Sequence, residues 1–467
     1  MIRFDKRAMT IIVDFNKKIG PFKPLNAVNN GPLPYSDDQT WSNFDDYKKA
    51  RFPYARTHDA SFCARYGGEH TVDVNFIFPN FDADENDPSS YDFQLTDEYI
   101  KNILSAGAEP FFRLGSKIEH WSKKYNTLPP ADFDKWARIC EHIIAHYVEG
   151  WANGFRMNIA YWEIWNEPDM RQDHEPIERK PTWGGTKAQF FALYKTAACH
   201  LKNRFPQLKI GGPAVANIFT AGPMNIGSVV KPWIEEFLAF VRDNNVPLDF
   251  FSWHIYTERI SSIERAAEKA RETLDKYGLT RTESVLNEWN YATSFKGDDF
   301  IHSIKAITGA RGAAFSAAAM CYGQNSSIDM MMYYDAQPGV FNGMFDYYTQ
   351  KPLKGYYPFL IFSKLVEMGK QVDVTCHDRH LYVLAAAGND KKGVMISYYP
   401  SPLIYRPTQR KEDAPDKKIT IRFDGEDPKV YLLDEYNDLT ETNLYTFREN
   451  KLTVTMKPLS VLYIESK

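Results

Sequence analysis

The stretch Tyr161-Trp162-Glu163-Ile164-Trp165-Asn166-Glu167-Pro168-Asp169 decides how the rest of the chain is read. Its first half is aromatic and β-branched, with Trp162 and Ile164 alternating against Glu163 and Trp165, which predicts a strand. Pro168 cannot donate to a ladder and biases Glu167 away from helix, so the strand stops there. An amide and a carboxylate therefore stand side by side where a buried strand ends. In a barrel of parallel strands that is the catalytic end. The run Ser284-Val-Leu-Asn-Glu-Trp-Asn290 has the same form, an apolar strand ending in Asn287-Glu288.

Outward from these two runs, strand and helix alternate. Strands are predicted near residues 54, 110, 161, 209, 250, 284 and 330, and an eighth near Pro24 to Ala27 would close a barrel. Helices are predicted over Phe44–Ala50, Thr96–Ala106, Pro129–Val148, Lys187–Phe205, Trp233–Val241, Ile260–Tyr277, Ile301–Tyr322 and Gly355–Met368. The acidic, turn-rich Thr71 to Ser90 reads as an excursion over the surface. A doubly wound open sheet would alternate in the same way. The barrel is favoured because the chain has no Gly-rich phosphate loop, and polar residues follow almost every strand rather than one crevice.

Beyond Gly369 the texture becomes short strands split by turns. The expected fold is α/β: residues 1–20 form a strand that joins the β module, 21–368 a (β/α)8 TIM barrel, and 369–467 an all-β sandwich-like domain. The chain has 467 residues, 43% hydrophobic and 25% charged, with a formal net charge of −4. That balance suits a globular protein and argues against nucleic acid or an anionic membrane as partner. No apolar run is long enough to span a bilayer, and Met1 to Thr10 lacks the core of a signal peptide, so a cytoplasmic protein is expected. A secreted or periplasmic location is the alternative if a signal has been removed. The 5 Cys form no CxxC pair and suggest neither disulfides nor zinc. His377-Asp-Arg-His380 lacks a convincing third metal ligand.

A lone Glu at a strand end is most simply a solvated or paired carboxylate. Two Asn-Glu pairs ending buried strands are harder to read that way, and paired carboxylates are the equipment of glycoside hydrolysis. Trp-Asn-Glu-Pro ending at Pro168, Asn-Glu-Trp-Asn ending at Asn290 and Trp253-His-Ile-Tyr256 between them resemble the (β/α)8 retaining glycosidases. The ordered set Tyr54-Ala-Arg-Thr-His58, Asp132-Phe-Asp-Lys-Trp136, Lys209-Ile-Gly-Gly-Pro213, Val246-Pro-Leu-Asp-Phe250 and Phe341-Asn-Gly-Met-Phe345 narrows the resemblance to glycoside hydrolase family 39, which holds β-xylosidases and α-L-iduronidases.

The resemblance implies Glu167 as acid/base after strand four and Glu288 as nucleophile on strand seven. It implies Asn166 on the sugar 2-hydroxyl, with His254 and Tyr256 beside the nucleophile. His58 and Arg56 are candidates for sugar hydroxyls, the plainer reading being a salt bridge to Asp59 or a neighbouring strand. Trp121, Trp183 and Trp289 are candidate sugar platforms, though each taken separately is more simply packing. Asn342 completes the candidate substrate set. Two positions depart from the xylosidase pattern: Arg113 stands where an acidic residue ends the third strand, and Tyr334 where a Trp is expected. Arg113 would meet a substrate carboxylate or pair with Asp335.

The implied activity is exo-acting, retaining hydrolysis of plant or microbial oligosaccharides, β-xylosidase-like, with no cofactor or metal. An α-L-iduronidase-like or arabinosidase-like specificity is the alternative. A non-catalytic carbohydrate-binding protein and a lyase are rivals of other classes. The expected partner is a small carbohydrate, with homo-oligomerisation left open.

Overall fold

The computed structural model describes residues 9–33, 42–58, 70–219, 230–339, 341, 343–388, 390–400 and 414–467. The first strand, β1 (Met9–Pro21), leads into eight short parallel strands: β2 (Ala27–Asn29), β3 (Tyr54–Thr57), β4 (Glu109–Leu114), β5 (Tyr161–Ile164), β6 (Lys209–Val215), β7 (Phe250–Tyr256), β8 (Glu283–Asn290) and β9 (Met330–Tyr333). They close into a barrel in chain order, sealed where Ala27 and Val28 pair with Met332 and Tyr333. Each is followed by helix, as the sequence alternation requires.

Boundaries differ from expectation in a few places. The closing strand begins at Ala27, where the expected one ended. The predicted Ile301–Tyr322 helix is two, Gly297–Ile307 and Ala310–Gln324, broken at Thr308-Gly309. Thr71 to Asp73 is buried rather than superficial. It leads into a short helix, Val74–Ile77, whose first N–H bonds the Gly115 carbonyl.

The barrel interior is layered by the two-residue period of its strands. At the N-terminal end Ala27, Phe111, Tyr161, Phe250, Val285, Met330 and Met332 form one apolar plug. Phe111 and Tyr161 stack with centroids 5.1 Å apart. Outward-facing residues such as Trp162 and Leu286 join the large core shared with the helices.

The remaining strands are β10 (Lys370–Thr375), β11 (Leu381–Gly388), β12 (Lys391–Tyr398), β13 (Lys417–Arg422), β14 (Lys429–Leu433), β15 (Asp438–Glu441), β16 (Tyr445–Arg448), β17 (Lys451–Met456) and β18 (Ser460–Ser466). With β1 they make one continuous ten-stranded sheet, ordered β15-β14-β18-β12-β11-β10-β1-β13-β17-β16. Side chains from its two halves, such as Val394 and Ile464 against Ile419 and Val454, share one core, so the sheet closes over itself like a sandwich. β1 lies between β10 and β13. The sheet is tied to the barrel by Ser397 Oγ donating to the Ala314 carbonyl at 2.7 Å and Tyr399 Oη to that of Glu258 at 2.6 Å. Among the described residues, Cys140, Cys199, Cys321 and Cys376 are free, and no helix is long and apolar enough to cross a membrane.

Candidate active site

Glu167 follows β5, the fourth barrel strand, and Glu288 lies in β8, the seventh. Each reaches the barrel's C-terminal face by a local departure from regular strand. After β5 the backbone turns through positive φ at Trp165 (75°) and again at Glu167 (49°). A non-glycine residue there is strained, and such strain persists only where surrounding bonds hold it. Here Glu167 N–H donates to the Ala214 carbonyl at 2.8 Å, and Thr182 Oγ donates to the Glu167 carbonyl at 2.7 Å. In β8 the register slips against β7, with Trp253 opposite Leu286 but His254 opposite Glu288. Asn287 is the extra residue of this bulge. Regular alternation would aim Glu288 outward with Leu286; the bulge turns it into the barrel.

The same bulge sends Trp289 the other way. Trp289 is fully buried in the helical layer, against Tyr333 at 5.3 Å and Phe359 at 6.3 Å, so it is not available as a sugar platform. Trp183 is also buried, edge-on to Trp165 at 5.1 Å.

The two carboxylates face each other. Glu167, His254 and Glu288 each present an atom within 4.8 Å of the others. His254 Nδ1 lies 2.9 Å from Glu167 Oε1 and 3.5 Å from Glu288 Oε2. Tyr256 Oη donates to Glu288 Oε2 at 2.9 Å. Arg56 NH1 and His58 Nε2 lie 2.8 and 3.0 Å from Glu288 Oε1. Burial alone would raise the Glu288 pKa; His254, His58 and Arg56 outweigh it and hold this carboxyl well below its ordinary range. Burial and the Glu288 charge push the Tyr256 phenol well up, so it stays a donor. Burial would lower His254, but Glu288 and Glu167 raise it. The three atoms within 4.8 Å have the donor chemistry of a small cation site. Arg56 and Tyr256 donors already engage both Glu288 oxygens, which supplies positive character without an ion.

Arg56 is the hub. Its Nε donates to Glu163 Oε2 at 2.6 Å, NH1 to Asn29 Oδ1 at 3.0 Å as well as to Glu288, and NH2 to Asn166 Oδ1 at 2.8 Å. With four of its bonds made inside the protein, Arg56 ties Glu288 to Glu163 and Asn166 of the β5 segment rather than standing ready for sugar. Glu163, which the sequence reading treated only as part of an alternation, is wholly buried and also accepts from Ser252 Oγ and Asn287 Nδ2, each at 2.6 Å. The usable signal was its charge at an inward position two residues above Tyr161.

Arg113 also finds a partner inside the protein. NH2 donates to Asp73 Oδ1 at 2.7 Å and to the His58 carbonyl at 2.9 Å. The expected pairing with Asp335 is replaced by Asp73, while Asp335 accepts from Asn30 Nδ2 at 2.7 Å. Tyr334, just past β9, packs on His58 at 5.8 Å and Tyr256 at 6.4 Å, with the Phe341 ring 6.4 Å away. Asn342 and Asp59 lie outside the described residues. Asn166 Nδ2 and His254 Nε2 are buried and have no hydrogen-bond partner among the described residues.

A closed (β/α)8 barrel with two facing carboxylates at its C-terminal rim is the arrangement of the barrel glycosidases. The chain belongs to glycosyl hydrolases family 39, whose family model matches residues 70–430. Curated relatives include a β-xylosidase of Caldicellulosiruptor saccharolyticus, 26% identical over 281 residues, which are 57% of this chain and 51% of the relative. A second, from Geobacillus stearothermophilus, is 27% identical over 222 residues, 45% of this chain and 38% of the relative. The chain thus spans about half the length of the curated relatives it matches. Among solved structures, a glucosidase from Croceicoccus marinus superposes with a TM-score of 0.75 at 26% identity, covering 98% of this chain and 99% of that one. A β-xylosidase from Caulobacter crescentus at 16% identity and TM-score 0.67, covering 98% and 99% of the two chains, shares the fold.

Proposed function

We propose that the chain is a retaining, exo-acting glycoside hydrolase of β-xylosidase type that acts on plant or microbial oligosaccharides. The observation that carries this reading is the approach of Glu167 and Glu288, with facing oxygens within 4.8 Å. Retaining enzymes hold their carboxyls about 5–5.5 Å apart, and inverting ones about 6.5–9.5 Å to admit a water.

In the first step a Glu288 oxygen attacks the anomeric carbon while the glycosidic C–O bond breaks, and Glu167 gives its proton to the departing oxygen. In the second, water attacks the same carbon, Glu167 takes the water's proton, and the Glu288 ester bond is released. His254, His58 and Arg56 keep Glu288 an anion, and Tyr256 donates a hydrogen bond to it. In this reading Asn166 Nδ2, which has no partner among the described residues, donates to the sugar 2-hydroxyl.

The β-xylosidase reading draws on the two curated relatives, and a β-glucoside reading draws support from the glucosidase that matches over nearly the whole chain. The iduronidase-like alternative asked Arg113 to meet a substrate carboxylate; with Asp73 on that guanidinium, a neutral glycone fits better. A panel of aryl glycosides, covering β-xyloside, β-glucoside, β-galactoside, α-arabinosides and α-iduronide, tests the reading. Cleavage of a β-xyloside or β-glucoside is expected. Glu288→Ala should lower it on the order of 10⁴-fold, and azide should rescue the variant as an adduct of inverted configuration. Full activity in Glu288→Ala would end the proposal.

A further inference from the structure

We infer that Arg113 is a positioning residue for the reaction: it fixes the backbone of His58 and, through it, the hydrogen bond that His58 gives to Glu288. The inference rests on the reading of Glu288 as nucleophile and deepens it.

Arg113 occupies an inward position of β4, two residues beyond Phe111 of the apolar plug. It is wholly buried, and of its guanidinium only NH2 is engaged, by Asp73 Oδ1 and the His58 carbonyl. Nε and NH1 have no hydrogen-bond partner among the described residues. A buried guanidinium with most of its N–H groups unused is poorly arranged to stabilise a fold. What its geometry does supply is a fixed point on the backbone of His58.

The other end of that contact is rigid. The second Asp73 oxygen accepts from the Lys117 N–H at 2.9 Å, and the next residue, Val74, donates its N–H to the Gly115 carbonyl at 2.9 Å. Lys117 and Gly115 both lie just past β4, so Asp73 is pinned to the end of the strand that carries Arg113. The Arg113 N–H donates in turn to Thr57 Oγ at 3.1 Å, which joins β4 to the last residue of β3. The guanidinium then reaches one residue further, to His58.

His58 is held at three points. Its carbonyl accepts from Arg113, its N–H donates to Asn30 Oδ1 at 3.3 Å, and its ring stands edge-on to Tyr334. Nε2 then lies 3.0 Å from Glu288 Oε1. The His side chain is short and rigid, so a shift of its backbone carries over to Nε2, and a hydrogen bond weakens steeply as its geometry degrades. The groups facing Glu288 are Arg56 and His58 at Oε1, Tyr256 and His254 at Oε2, and Glu167 across His254. Burial opposes the Glu288 anion, and His254, His58 and Arg56 outweigh it. Loosening His58 removes one of these three supports.

The test is a double-mutant cycle on the aryl glycoside that the wild type cleaves best. Arg113→Met is expected to lower kcat on the order of 10–100-fold, to leave KM within about twofold and to move the acid limb of kcat/KM upward. Arg113→Lys, which keeps a charge and a donor for Asp73 and His58, should restore most of kcat. In a His58→Ala background Arg113→Met should change kcat by less than about threefold, because the contact it serves is already gone. A raised KM with unchanged kcat would put Arg113 on the sugar itself and overturn the inference. So would unaltered kinetics, or a loss in His58→Ala as large as in the wild type. Should Arg113→Met not fold, Arg113→Met/Asp73→Asn, which leaves no unpaired buried carboxylate, takes its place in the cycle. If the wild type cleaves no aryl glycoside, the hydrolase reading fails by itself. Proton–nitrogen NMR of the histidine rings then decides the placement. A His58 Nε2–H signal present in the wild type and lost in Arg113→Met keeps it, and a signal that persists or is absent from both ends it.

Discussion

The two ends of the barrel are built from the same strands with opposite chemistry. At the N-terminal end, inward positions of β4, β5, β7 and β8 hold Phe111, Tyr161, Phe250 and Val285, an apolar plug. Two residues further along β5 and β8, the inward positions hold Glu163 and Asn287, and the layer above carries Arg56, His254 and Glu288. One end gains stability by excluding water. The other buries charges that would be costly singly and become tolerable because each meets an opposite charge or a donor. The lower end makes a fold, and the upper end uses that fold's rigidity to keep a carboxylate ionised out of water.

The largest test of this contrast is a pair of truncations. Phe250→Ala should cost about 3–5 kcal/mol of unfolding free energy through the cavity it leaves, yet keep kcat within a few-fold at a temperature where the variant is folded. Glu163→Ala should cost a similar 3–5 kcal/mol because the buried Arg56 charge loses one of its two carboxylate partners and Ser252 and Asn287 lose their acceptor, and should also lower kcat steeply. Denaturant melts beside steady-state kinetics check both; a catalytically intact Glu163→Ala would erase the distinction between the two ends.

Tyr256→Phe sharpens it next. Removing a donor from an ionised carboxylate weakens the charged form by about 1.5–3 kcal/mol, so the acid limb of kcat/KM should move up by roughly one to two pH units. A limb that stays in place would mean that Tyr256 does not keep Glu288 ionised.

His254 gives a smaller, pH-dependent effect. Its folded pKa is raised, so its stabilising share is full below the unfolded value near 6.5 and is lost as pH rises through the folded value. His254→Gln should therefore lower the Tm more at pH 6 than at pH 9; the reverse order would mean a ring buried neutral. Smallest is Trp289→Phe, expected to cost about 1 kcal/mol with KM unchanged, because the ring belongs to the helical layer. A raised KM would return Trp289 to the sugar site.

Much of this was legible in the chain. Strand periodicity, Pro168 after Glu167 and turn residues at regular intervals are local signals, and they point to eight strands with Glu167 at the fourth and Glu288 at the seventh. What escaped was non-local. Thr71 to Asp73 looked superficial because it is polar, yet Asp73 is buried by the Arg113 charge it neutralises. Glu163 looked like one half of an alternation, and only barrel closure brings Arg56, Ser252 and Asn287 to it.

The sequence by itself determined the alternation of strand and helix, the shift to strands alone beyond Gly369, and the residue types at the barrel rim, because these follow from short-range sterics and hydrophobic period. The tertiary structure alone decided which face each rim residue serves. A one-residue bulge at Asn287 sends Glu288 inward and Trp289 outward, and closure of the barrel makes Arg56, a candidate sugar ligand by sequence, the tie between Glu163 and Glu288. Side-chain direction in a strand has a period of two, so a single inserted residue reverses it, and no local propensity records that insertion.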